Sequence, residues 1–157
     1  MMKSSTQNAF TMVELVFVIV VIGILAAVAV PKLAATRDDA VITKAMTTVS
    51  SVRNAVATER QKRILRGDFD QPITALSSDS GYDKPIFNAF DGNTNNPVLE
   101  YPPRSCATAA SRECWVDSGD GDYTFVMPAS GTAVFTLDSN RFKCKSDTDE
   151  NCQELTK

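Results

Sequence analysis

The chain has 157 residues, a formal net charge of −3, four cysteines and no histidine, a length that holds one globular domain and little more. Without histidine there is no His-assisted nucleophile and the commonest metal ligand is missing, so an enzyme here would have to work with carboxylates, hydroxyls or lysine. Charge is uneven: residues 1–66 carry nine Lys/Arg and four Asp/Glu (net +5), residues 67–157 seven and fifteen (net −8), and such asymmetry points to different partners for the two halves.

The first predicted element is an apolar helix. From Phe10 to Val30 only Thr11, Glu14 and Gly23 interrupt 21 residues of apolar character. As a helix this segment is roughly 31 Å long, matching a hydrocarbon layer of about 30 Å. Its β-branched block, Val16 and Val18 to Ile22, is a poor helix former in water but acceptable where lipid forces internal hydrogen bonding. A cleavable secretory signal is the competing reading, but its apolar stretch is shorter, about 7 to 15 residues, and has no use for an acid. A plain uncleaved anchor has no use for Glu14 either. A carboxylate costs about 2.5 to 3.5 kcal/mol at the centre of a transmembrane helix and less near its end, while the helix macrodipole returns only about 0.3 to 1 kcal/mol. Glu14 therefore needs a cation, and the chain has none between Lys3 and Lys32.

The string Ala9-Phe10-Thr11-Met12-Val13-Glu14-Leu15, followed by the apolar run and Pro31, resembles the N-terminus of type IV pilin-like proteins, the pilins and pseudopilins. The resemblance implies a leader, residues 1–9, cut between Ala9 and Phe10 by a prepilin peptidase, followed by N-methylation of the new Phe10 amine. The mature chain would have 148 residues, with Glu14 as its fifth. The family usually has Gly before the cut; Ala9 is the next smallest residue and implies slower processing. The resemblance also supplies the missing cation, since it implies that Glu14 of one subunit meets the Phe10 amine of its neighbour in a filament. Pro31 stands where the family has a helix-kinking proline. Implied partners are the peptidase, identical or related subunits in a helical filament, an inner-membrane assembly platform and the membrane lipid. The implied placement is a single pass of the bacterial inner membrane, N-terminus cytoplasmic and head periplasmic. Charge alone does not argue for that orientation, because Lys32, Arg37 and Lys44 lie on the far side and only Lys3 in the leader.

Residues 31–66 continue as a helix of soluble type. Val41, Ala45, Val49, Val52 and Val56 recur at steps of three and four and share one face, with polar side chains elsewhere. Glu59 and Arg63 stand in the favourable i, i+4 order, and Gly67 after Arg66 marks a stop. One helix from about Phe10 to about Arg66 is thus predicted, with a bend at Pro31. The basic stretch Arg60 to Arg66 reads first as a solvated helix end set against the C-terminal dipole, and second as a contact for acidic neighbours.

Residues 67–157 form the predicted head. Residues 67–100, rich in Asp, Ser, Asn, Gly and Pro, read as a loop with a short helix near Ile73 to Leu76. Strands are predicted at 123–127, 132–137 and 141–145, separated by turn-like segments, with weaker candidates at Val98 to Tyr101 and Cys114 to Val116. The fold class is α+β: a long N-terminal helix laid against a small antiparallel sheet, the arrangement the family also implies.

Cys106, Cys114, Cys144 and Cys152 form two closely spaced pairs suited to local disulfides, although four cysteines permit three connectivities. Seven intervening residues suit a zinc site poorly, and disulfides would place the head outside the cytoplasm. Asp117, Asp120 and Asp122, and separately Asp147, Asp149 and Asn151, have the oxygen chemistry of Ca²⁺ ligands; turn acids in solvent are the rival reading. No cofactor is otherwise indicated. No phosphate loop, CxxC pair or dinucleotide motif is present, and no carboxylate pair stands out, so a membrane-tethered enzyme is a distant alternative. The net −8 of the head argues against direct nucleic-acid binding. The expected function is a structural filament subunit, first a type II secretion pseudopilin, then a competence-type pseudopilin or a true type IV pilin.

Overall fold

The computed structural model describes residues 10–157. Helix α1, Met12–Arg66, is followed by strands β1 (Cys114–Asp117), β2 (Asp122–Val126), β3 (Thr132–Asp138) and β4 (Arg141–Cys144), and by a short helix α2, Glu150–Glu154. The chain divides into two compact units, one ending at Arg37 and the other Asp38–Lys157.

In the first unit α1 starts at a cap that its sequence provides. Thr11 Oγ1 accepts the backbone N–H of Glu14 at 3.3 Å, which satisfies one of the orphan donors of the first turn. Helical backbone continues through Pro31, whose ring removes one hydrogen-bond donor. The apolar side chains from Phe10 to Leu33 are exposed.

In the second unit the predicted apolar stripe of α1 is buried: Ala45, Val49, Val52 and Val56 join the core, with Val41 at its margin. The helix stops at Gly67, whose φ of 87° costs a glycine little. Gly67 N–H donates to the Ile64 carbonyl and Asp68 N–H to the Arg63 carbonyl, at 3.0 and 2.9 Å, the double bond of a Schellman cap.

The sheet is a four-stranded antiparallel meander in the order β1-β2-β3-β4. Alternation sends Trp115, Tyr123, Phe125, Ala133, Phe135 and Phe142 into the core. Phe87 enters the same core from the long loop, its ring 5.3 Å from those of Trp115 and Tyr123 and 5.8 Å from that of Phe142. Two disulfides close the head, Cys106–Cys114 on β1 and Cys144–Cys152 between β4 and α2. Arg53 Nε donates to the Phe142 carbonyl at 3.0 Å and ties α1 to the edge strand.

Two expectations are corrected. No helix forms near Ile73 to Leu76, because its amides donate to side chains distant in sequence: Ile73 to Asn140, Thr74 and Ala75 to Asp91, and Leu76 to the Tyr123 hydroxyl. With those donors taken, the segment stays extended. Val98 to Tyr101 is not a strand. Helix α2 was not foreseen; it forms where Asp149 accepts from the Asn151 and Cys152 amides as an N-cap.

Candidate functional site

The N-terminal unit carries the strongest chemical anomaly. An 18-residue apolar window of α1 has none of its surface buried, and the helix is long and apolar enough to cross a membrane. Exposed side chains include Phe17, Ile22, Ile24, Leu25 and Val28. Water does not tolerate an apolar surface of this extent, so lipid or other helices must cover it. Glu14, the one acidic residue of the first turn, stands on this surface three residues after the Thr11 cap, with Phe10 at the front of the described chain. Phe10 and Glu14 thus flank the helix start. Ala9, the residue before the expected cut, lies outside the described residues, as does the rest of the leader.

A family model described as the prokaryotic N-terminal methylation motif matches residues 4–30. Residues 4–30 thus carry the N-terminal motif that marks type IV pilin-like, prepilin-type proteins. No curated protein and no solved structure gives a significant match.

Behind this motif stands a head held by a polar network of which the sequence shows only the local half. Glu59 and Arg63, paired as expected, meet at 3.2 Å, with Glu59 buried where the end of α1 meets the long loop. Arg63 then turns out of the helix end to pair with Asp91 and donates to the Pro72 carbonyl at 3.1 Å. Asp91 in turn accepts from the Thr74 hydroxyl at 2.8 Å and from the Thr74 and Ala75 amides. Burial alone would raise the Asp91 carboxyl, but the hydrogen bonds from Thr74, Arg63 and Ala75 outweigh it and hold it below its usual range. Arg63 is therefore the clamp that fixes the loop to α1. The second oxygen of Glu59 has no hydrogen-bond partner, and Lys62 Nζ stands 3.9 Å from it.

Tyr123 is buried and its hydroxyl accepts the Leu76 amide at 2.7 Å. Burial first, and the nearby Asp117 charge after it, push the phenol up, so it stays neutral.

The acidic residues proposed for calcium are not brought together. Asp117 faces the core side of the sheet and accepts the Gly119 amide at 2.8 Å. Asp120 accepts the Asp122 amide, and the Asp122 carboxylate pairs with Lys145. Asp149 caps α2, and Asn151 donates to the Thr132 carbonyl at 3.3 Å. Among the described residues no three His, Cys, Asp or Glu side chains are placed to hold a metal ion. All four cysteines are consumed in disulfides.

Proposed function

We propose that this chain is a structural subunit of a pilus-like filament, cut before Phe10, methylated there, and drawn from the inner membrane into a helical assembly. The methylation motif over residues 4–30 carries the reading. An apolar helix surface that has to be covered supports it, because lipid covers such a surface before assembly and neighbouring helices cover it afterwards. Two disulfides in the head support a periplasmic head, since disulfides persist in oxidising compartments.

Glu14 is the assembly residue in this account. Its carboxylate is costly in lipid, and the amine created at Phe10 of a neighbour is a complementary charge in a medium of low dielectric. Axial register follows, since one stagger between helices brings the two groups together. Pro31 stands in this reading between the lipid-facing segment, residues 10–30, and the amphipathic part of α1, residues 31–66.

The preferred assembly is the type II secretion pseudopilus, because residues 38–157 form a single small unit closed by two local disulfides. Deletion of the chain should leave exoproteins trapped in the periplasm. Loss of transformation with normal secretion would assign it to DNA uptake instead, and loss of surface fibres would assign it to a true pilus. Glu14→Ala should insert into the membrane yet fail to assemble; normal filaments from that variant would overturn the pairing account.

A further inference from the structure

A groove of about 510 Å³ runs between the C-terminal part of α1 and the edge strand β4. Arg53 and Arg60 line it from the helix, Arg141 and Lys143 from the strand, over a floor that includes Ile64 and Phe142. No carboxylate lines it. Arg53 is held by the Phe142 carbonyl and Lys143 by Asp138 at 2.7 Å, whereas Arg60 and Arg141 are exposed and have no ion pair among the described residues. Ile64 remains 43% exposed in the middle of these cations. Arg60 and Arg141 thus add two uncompensated like charges beside apolar surface, and their repulsion is relieved by an anionic partner.

The rest of the head is of opposite sign. Residues 67–157 without Arg141 and Lys143 carry a net charge of −10. Exposed carboxylates without an ion pair include Asp79, Asp120, Asp147 and Glu150. The head thus presents both halves of a charge-complementary contact, Arg60 and Arg141 at the groove and Asp79, Asp120 and Glu150 elsewhere, whereas Asp147 already acts on Lys143 within one copy.

We propose that the α1–β4 groove receives the acidic head surface of a second copy of this chain. The inference rests on the filament reading above. Groove against acidic loop is a heterologous contact, which repeats head to tail and generates open helical arrays instead of closing a two-fold dimer. Arg60 and Arg141 supply orientation and rate of encounter, and Ile64 and Phe142 the apolar floor. A nucleic acid would also seek the four cations, but the surrounding field of the head repels phosphate.

The test places a photo-cross-linking amino acid at Gln61, which lines the groove, in the full chain in its native membrane. A second probe stands at Ile24 in the apolar segment. The Gln61 probe should give a dimer whose link lies in residues 79–83, 117–122 or 146–154 of the second copy. Arg60→Glu with Arg141→Glu should lower that yield at least about tenfold, as should raising ionic strength from about 0.05 to 0.5 M. Reversing the carboxylate that the link identifies should restore it. Both arginines are exposed, and unchanged Trp115 fluorescence verifies that the double variant folds. Dimers from Ile24 but none from Gln61, or capture of nucleic acid or of another polypeptide at Gln61, would overturn the groove contact and leave the filament reading standing. Dimers from neither probe would sink both.

Discussion

Replacing Arg63 by Met tests whether the head depends on one buried charge network. Arg63 has 14% of its side chain exposed and Glu59 only 3%. Without the guanidinium, Glu59 keeps a single cation, Lys62, at 3.9 Å and half exposed. Stranding a buried carboxylate in this way costs about 3–5 kcal/mol. Asp91 loses the same partner but keeps its bonds from Thr74 and Ala75 and some access to solvent, so its share is small. For the 120 residues Asp38–Lys157, an unfolding entropy of about 0.25 kcal/mol/K converts the loss into a Tm lower by about 12–20 °C. Trp115, the single tryptophan and a core residue, reports the transition by fluorescence in a thermal melt of the full chain in detergent. Arg63→Met combined with Glu59→Leu should recover most of the loss, because the buried charge has gone with its partner. A single-variant loss below about 4 °C, roughly 1 kcal/mol, would refute the argument and mean that Glu59 is solvated.

Asp91 gives the head an acid limit. Its carboxyl lies below the ordinary value of 3.8 in the folded state, so its contribution is complete above that value and disappears as pH falls through the folded pKa. Melts between pH 2 and pH 6 (a range of about four units) should show this loss in the parent and a weaker one in Asp91→Asn. Opening the Cys144–Cys152 bridge, which spans eight positions, with Cys144→Ser and Cys152→Ser should cost about 2–3 kcal/mol in urea unfolding. An unchanged midpoint would show that α2 is held by packing alone. Phe87→Ala removes a ring that touches Trp115, Tyr123 and Phe142 and should cost about 3–5 kcal/mol by the same assay.

Local patterns in this chain were legible where local chemistry decides structure. The helix stripe from Val41 to Val56, the Glu59–Arg63 pair and the Gly67 stop all depend on spacings of three to eight residues, and all appear. Strands β2, β3 and β4 follow their alternation and turns to within a residue or two. The loop was different. Residues 73–76 look helical by composition, but Asn140, Asp91 and Tyr123 take their amides from 16 to 67 residues away, and no local window contains that competition. The acids between the last two cysteines have the chemistry of metal ligands, whereas Asp149 caps α2; an Asp just before Glu-Asn-Cys-Gln-Glu is the signal for that cap. The basic stretch Arg60 to Arg66 held two jobs that spacing could not separate. Arg63 turns inward to Asp91 and Arg60 lines the groove with β4. Glu14 stands out in the sequence because an acid in an apolar helix is anomalous on cost alone.

The account turns on what happens before Phe10. Intact-mass and N-terminal mass spectrometry of the chain extracted from membranes should find a product of 148 residues that begins at Phe10 and carries a methyl group on its amine. A chain that still begins at Met1, in cells where other prepilin-type proteins are processed, would contradict it.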